Sequence, residues 1–377
     1  MRATDIVRRR ERTQRNRRGS GLLRAAAVAG LVAGLAVIVF AAAATVIVSA
    51  GSLAVLRDLP DVRYLERLPA AFRPTNATTR VFAWSEPDQG GLRRPVLIDE
   101  IGDPRLGGSA WIRYGDLPTS VVNAHLAAVD QQFMDHRPSG PLRIVAGWWQ
   151  TGTLGPGPSP ITRRMIDTML RGEPGSSHGE WQLALQDRLL DYQIGQRYTR
   201  AQILEWELNT RYYGNLAFGV EAASRVYFGK GASELTPAEA ILLAAIAVEP
   251  QDNPFDSAEA ALSNRTAVLD AMSAMGAIAP DDAAAIREAP LALAPPPGSE
   301  SPTPEFSRLV RNELEAILGP EQLVLGGWQV ETTLDLVLQT QAGCVAAVYT
   351  GQLSGQSLNS AGGGPPCPAR DLLPAVG

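Results

Sequence analysis

Hydrophobic positions along the chain fall into blocks of different period. The first block has no period at all, because no residue from Ala25 to Leu56 is charged. About 20 apolar residues cross the hydrocarbon core of a bilayer, so this run predicts a transmembrane anchor. It continues past the small residues Ala42, Ala43 and Ala44, too far for a cleaved leader. Thr79 to Trp84 alternates, Asp88-Gln89-Gly90-Gly91 signals a turn, and Pro95 to Ile98 predicts a returning strand. Val121 to Met134 carries apolar residues at helical spacing. Residues 141–157 are apolar, with adjacent Trp148 and Trp149 and several glycines, which suits either a core segment with a loop or a membrane-facing flap. Thr199 to Gln202 and Thr236 to Glu239 are capping-box patterns, and each opens an apolar run. The second run, Ala240 to Val248, is apolar on every side and predicts a buried helix. Further helices are expected over Asn264 to Met275, Pro280 to Ala289 and Glu305 to Leu318, with a strand over Gly326 to Asp335.

Charge changes this picture at one end. Arg2, Arg8, Arg9, Arg10, Arg12, Arg15, Arg17, Arg18 and Arg24 crowd the first 24 residues, yet the net charge is −5. The body is therefore acidic, which argues against a nucleic-acid surface there. The basic arm reads as the cytoplasmic flank of the anchor, so the expected topology is a single-pass inner-membrane protein with its main domain outside. The expected division is an arm over 1–24, the anchor over 25–56 and a lead-in with a hairpin over 57–117. A helical domain over 118–290, a Pro-rich linker over 291–304, a short segment over 305–350 and a flexible tail over 351–377 complete it.

Lys230 is the only lysine, and Tyr227 stands three residues before it. Serine transpeptidases use a Ser-x-x-Lys pair and a Lys-Thr-Gly strand; this sequence holds neither. Cys344 and Cys367 are the only cysteines. Outside the membrane they can form a disulfide or remain two thiols, and two are too few for a zinc site. His125, His136 and His178 are scattered, and no metal site is expected.

Three stretches carry the candidate chemistry: Ala128 to His136, Gly157 to Met165, and Tyr198 to Lys230. Their order and spacing resemble the catalytic domain of family 51 peptidoglycan glycosyltransferases, the N-terminal half of bifunctional penicillin-binding proteins. The third stretch is close to the family pattern, matching at Glu205, Leu208, Asn209, Gly214, Gly219, Ala222, Tyr227, Phe228, Gly229 and Lys230, with Arg200 for the family's lysine. The first motif, Glu-Asp-x-x-Phe-x-x-His in the family, is Val129-Asp130-x-x-Phe133-x-x-His136 here. The second keeps Ser159, Ile161 and Thr162, puts Arg163 and Arg164 in place of two glutamines, and Asp167 in place of a lysine. Arg-Lys-x-x-Glu, the third motif, falls on Leu183-Ala184-x-x-Asp187 in an ungapped count; with a gap, Glu173 or Glu180 takes the carboxylate's place.

The resemblance implies a mainly α, lysozyme-like domain with small β elements at its edges, following one transmembrane helix. It implies polymerisation of lipid II, in which a glutamate base activates a sugar hydroxyl and a pyrophosphate leaves. Val129 occupies the base position, leaving Asp130 and Asp187 as candidate catalytic carboxylates. Ser159, Thr162, Arg163, Arg164, Arg200, Glu205 and Asn209 are the candidate substrate-binding residues, with Phe133, His136 and Lys230 structural. Arg163 and Arg164 either supply phosphate-binding charge or sit on a solvated helix face. Residues 141–157 correspond to the part that lies against the bilayer in the family. A divalent cation such as Mg²⁺ is compatible with the family, and the implied partners are lipid II or nascent glycan strands, the membrane and cell-wall synthases. The expected function is a weak or inactive peptidoglycan glycosyltransferase; the alternative is a non-catalytic scaffold or regulator of an active synthase. A glycan hydrolase would need Asp130 and Asp187 as an acid and base pair.

Overall fold

The computed structural model describes residues 59–71, 78–89, 91–102, 111–171 and 179–353, with positions 30–31, 34–35, 38–39 and 57. The expected anchor lies almost wholly outside these residues, as does the tail with Cys367. No helix among the described residues is long and apolar enough to cross a membrane. The chain divides into two compact units. One comprises Met1–Asp61, Ser139–Gly157 and Glu173–Tyr192; the other comprises Val62–Pro138, Pro158–Gly172 and Gln193–Gly377.

Helices dominate. After one short turn of α-helix at Leu68–Ala71 they are, in order, α1 (Thr119–Val129), α2 (Pro141–Thr151), α3 (Pro160–Met165), α4 (Glu180–Arg197), α5 (Arg200–Thr210), α6 (Val220–Phe228) and α7 (Pro237–Val248), followed by α8 (Ala258–Ala274), α9 (Pro280–Glu288), α10 (Pro304–Leu318), α11 (Pro320–Leu325) and α12 (Leu336–Leu353). Three strands accompany them: β1 (Thr79–Trp84), β2 (Pro95–Ile101) and β3 (Gln329–Asp335). Both sequence-predicted capping boxes form, Thr199 with Gln202 and Thr236 with Glu239. Each satisfies orphan N–H groups at the start of its helix.

In the second unit the helical core is built on small residues. Ala124 and Ala127 of α1 meet Ile241, Ala244 and Ala245 of α7, and Val268, Leu269 and Met272 of α8. Alanines let the backbones approach closely. Every residue of α7 from Ala238 to Ala247 is buried, which explains why that run shows no polar face.

The sheet joins distant parts of the chain in the order β2-β1-β3. β1 and β2 form the expected antiparallel hairpin, bulged between Val81 and Phe82. β3 pairs parallel to β1, with Val81 opposite Val330. Val81, Ala83, Ile98 and Ile101 form a core with Leu323, against which Phe306, Val310, Leu314 and Leu318 of α10 pack at intervals of one helical turn. Arg311 of α10 clasps the Asp99 carboxylate with Nε and Nη2, both at 2.9 Å. Ser301 Oγ donates to the Ile98 carbonyl at 2.7 Å, so the Pro-rich segment is tied to the sheet at that point. Thus the lead-in and the 305–350 segment, read as separate from the sequence, share one sheet.

One local expectation needs correction. The helix expected to reach Met134 ends at Val129, because Asp130 leaves helical geometry (φ −160°, ψ 86°) and the chain turns to bury Phe133. Residues 141–157, for which the sequence left open a core segment with a loop or a membrane-facing flap, begin with α2 in the first unit. Its Ile144 is buried, while Leu142 (87% exposed), Val145, Trp148 and Trp149 (88%) are not.

Losing one partner of the Asp99–Arg311 pair strands a buried carboxylate. Arg311→Met is expected to cost about 2–3 kcal/mol, less than for a fully buried pair because the guanidinium is partly exposed. A urea titration reads this as a lowered midpoint, and the Asp99→Asn/Arg311→Met double variant should recover part of the loss.

Candidate functional site

The first motif lies at the C-terminal end of α1. Val129 is the last helical residue and is half-buried; Asp130 follows as the cap residue and is buried. Oδ2 of Asp130 meets no hydrogen-bond partner among the described residues. The loop beyond is held from α5. Arg200 donates through Nη2 to the His136 carbonyl and lays its guanidinium over the Phe133 ring, 4.9 Å from the centroid. Phe133 and the His136 backbone are thus both contacted from α5. Arg200, expected to bind substrate, is the residue that holds them.

The second motif opens α3. Ser159 caps that helix: its Oγ accepts from the Thr162 N–H at 3.2 Å and lies 3.1 Å from Thr162 Oγ1. Both residues are buried. Arg163 is exposed. Arg164 points into the core, with Nε donating to Glu207 Oε2 at 2.7 Å and Nη2 to Thr210 Oγ1 at 3.0 Å. It lies neither on a solvated face nor free for an anion. Asp167, standing where the family has lysine, pairs with Arg171 at 2.6 Å in the π-helical turn Ile166–Arg171 that continues α3.

Glu207 is the centre of this arrangement. Its side chain is 0% exposed, and Arg211 Nη1 lies 2.5 Å from Oε1. His125 Nε2 approaches the same oxygen at 3.4 Å, a contact too loose to count as a hydrogen bond. Burial alone would raise the carboxyl's pKa; the charge of Arg164, the His125 contact and the charge of Arg211 outweigh it and hold Glu207 well below the ordinary range. Burial pushes the His125 ring down, against the pull of Glu207, so the imidazole is the neutral partner. Arg211 also donates through Nε to the Ala247 carbonyl at 2.7 Å, tying the end of α5 to the end of α7.

Glu205 and Asn209, one turn apart on α5, face a different segment. Glu205 accepts from Trp111 Nε1 at 2.8 Å and from the Tyr114 N–H at 2.9 Å. Asn209 accepts from the Ile112 N–H at 2.9 Å and donates to the Ile112 carbonyl at 2.8 Å. Both were expected to bind substrate, and both clamp residues 111–114. Gly214 and Gly219 shape the turn that follows. Their φ values are +75° and +86°, and a Cβ there would lie 2.6 Å from a carbonyl oxygen of Pro250 or Asn209. Lys230 pairs with Glu239 of the α7 capping box at 2.7 Å.

Asp187 is buried on α4 and belongs to the first unit, whereas Asp130 belongs to the second. Glu180 is exposed, and Glu173 lies outside the described residues. Cys344 is disulfide-bonded. Among the described residues no group of three or more His, Cys, Asp or Glu side chains is placed to hold a metal.

Residues 97–273 match the family model described as Transglycosylase. That stretch is similar to the transglycosylase family. It is similar to Penicillin-binding protein 2D of Bacillus subtilis, 32% identical over 249 residues covering 64% of this chain and 36% of the relative. It is also similar to Penicillin-binding protein 1A of Rickettsia bellii, 28% identical over 292 residues covering 75% of this chain and 34% of that one. Among solved structures, Penicillin-Binding Protein 1A from Haemophilus influenzae aligns over 72% of this chain and 29% of its own, with 20% identity and a TM-score of 0.34, too low to establish a common fold. The chain spans about a third of the length of these curated relatives.

Within this transglycosylase domain, sequence reasoning missed Glu207, Arg211 and His125. The signal was present: Glu207 sits inside the run Ile203-Leu204-Glu205-Trp206-Glu207-Leu208, and a carboxylate in a buried helix requires cationic partners.

Replacing Glu207 tests the network. Glu207→Gln is expected to cost about 3–5 kcal/mol at pH 7 by leaving two guanidinium groups unmatched. The group's folded pKa is depressed, so its stabilisation is full above its ordinary value of 4.5 and is lost as the pH falls below it. Urea titrations at several pH values should therefore show the gap between wild type and variant closing on acidification.

Proposed function

We propose that this chain is a membrane-anchored member of the peptidoglycan transglycosylases that binds lipid II or nascent glycan and turns it over weakly or not at all. The observation that carries this is Val129, a side chain with no proton chemistry, at the family's general-base position beside a loop whose frame is otherwise kept. Loss of a general base costs about 10²–10⁴-fold in rate. The charges around the second motif support the same reading. Arg164 is neutralised by Glu207, and Asp167 stands in place of the lysine and pairs with Arg171. Less positive charge then faces a pyrophosphate leaving group. The lysozyme-like fold and the site roles of Asp130 and Asp187 belong to this proposal.

A non-catalytic scaffold or regulator of an active synthase is the second reading. It is favoured by one observation: Ser159, Thr162, Arg164, Arg200, Glu205 and Asn209 all have intramolecular partners, so they serve the fold whether or not chemistry occurs.

Membrane placement is supported by α2. Leu142, Val145 and Trp149 recur at helical spacing and are exposed together with Trp148. Indole rings favour the bilayer interface.

Polymerisation of labelled lipid II by the solubilised chain tests the catalytic reading. Val129→Glu should outpace the natural protein by at least about 10²-fold; equal rates would show that the base lies elsewhere. For the membrane reading, the chain is reconstituted in liposomes containing brominated lipid. Quenching of tryptophan fluorescence should fall in Trp148→Ala/Trp149→Ala, and unchanged quenching would remove α2 from the bilayer.

A further inference from the structure

The turn after α5 is built against the preference of its own backbone. Gly214, Asn215 and Leu216 have φ values of +75°, +50° and +59°, three left-handed residues in succession. Glycine enters this region freely and asparagine tolerates it, but a bulky side chain such as leucine avoids it. Two hydrogen bonds close the loop, from the Ala217 N–H to the Gly214 carbonyl and from the Tyr213 N–H to the Ala217 carbonyl, both at 2.9 Å. A two-residue loop with positive φ at both central positions is the I′ hairpin turn, whose preferred central pair is Asn-Gly. The chain has Asn-Leu there, so the leucine needs a reason outside the turn.

That reason is the sheet. Leu216 is half-buried against the core of Val81, Ala83, Ile98, Ile101 and Leu323. A polar contact runs beside it. The Tyr212 hydroxyl donates to Glu315 Oε1 of α10 and accepts from the Leu216 N–H at 3.2 Å. Burial, and then the Glu315 carboxylate, push this phenol up, so it stays a donor at neutral pH. The rest of the turn belongs to the helices. Asn215 Nδ2 donates to the Tyr227 hydroxyl of α6 at 3.1 Å. The Gly219 N–H donates to the Arg211 carbonyl at 2.8 Å, and Arg211 is the residue that pairs with Glu207.

We infer that Leu216 is a latch that couples the sheet to the end of α5. Its left-handed backbone persists while the sheet core and α10 hold the side chain and the Tyr212 hydroxyl, so opening of the sheet and release of the turn are one event. On release Leu216 returns to negative φ, the I′ turn is lost, and the loop no longer closes on the Arg211 carbonyl. Anything that draws β1 or α10 away therefore loosens the Arg211–Glu207 pair, and with it Arg164 of the second motif. Coupling between separate regions requires an element with two discrete arrangements, and this turn supplies one.

The test follows hydrogen exchange on the full solubilised chain at the amides of Tyr213, Ala217 and Gly219, whose bonds close the turn. Leu323→Ala removes packing from the sheet core. It should speed exchange at these three amides about tenfold, together with those of β1, while those of α7 stay unchanged. In a Leu216→Gly background, where glycine holds the turn without help, adding Leu323→Ala should change the same three amides by less than about twofold. Retained protection of the turn in the Leu323→Ala chain, with β1 loosened, overturns the inference. So does equal loosening in the Leu216→Gly background, because the turn would then depend on the sheet by another route. Should Leu323→Ala also expose α7, the milder Leu323→Val takes its place with the same two criteria.

Discussion

A carboxylate with no access to water fixes much of this domain. Moving a charge from water into a protein interior costs several kcal/mol even after relaxation, so Glu207 is stable only if cations come to it. They come from different directions: Arg164 from α3 and Arg211 from the end of α5, with neutral His125 reaching across from α1. Arg211 then reaches the last turn of α7. One buried charge therefore sets where four helices meet. The guanidinium of Arg164 is thereby already neutralised within the fold.

Helix α5 serves two purposes through two faces. Glu207 and Thr210 look to the α3 side, while Glu205 and Asn209 look to residues 111–114. Asn209 meets both the N–H and the carbonyl of Ile112, so an irregular stretch between the hairpin and α1 has its backbone groups satisfied by side chains. The same helix starts with Arg200 on the first-motif loop. A single apolar-patterned segment thus organises the lead-in, the loop after α1 and the second motif together.

Most of the helices were legible because local chemistry marks them. Capping boxes at Thr199 and Thr236, the unbroken apolar run of α7 and the alternation of β1 are signals contained within a few residues. What local pattern cannot contain is partnership over distance. The parallel pairing of β3 with β1 spans most of the chain, and nothing in either strand specifies the other. The end of α1 was misjudged for a related reason: Phe133 continues the apolar pattern, yet it is buried from a turn and covered by Arg200. Arg164 was ambiguous as a residue of an arginine pair, and only Glu207 resolves it. Similarly, the dense apolar residues of α2 suit a core segment or a membrane-facing flap equally, and only the structure shows that most of them are exposed.

These partnerships change the weight given to surviving motif residues. Removing a buried hydrogen-bond partner costs about 1–3 kcal/mol, which is a large share of the stability of an ordinary domain. Ser159, Thr162, Arg200, Glu205 and Asn209 would therefore persist in a folded chain whatever became of its chemistry. Their presence is an argument for the fold and not for turnover. The diagnostic positions are those without a structural task of that kind. Val129 is one, because a valine side chain has no hydrogen bond to make. Asp130 is the other, a buried side chain whose Oδ2 finds no partner among the described residues. A buried polar oxygen without a partner is costly to keep, so the contacts of Asp130 do not account for it as they account for its neighbours in the loop frame.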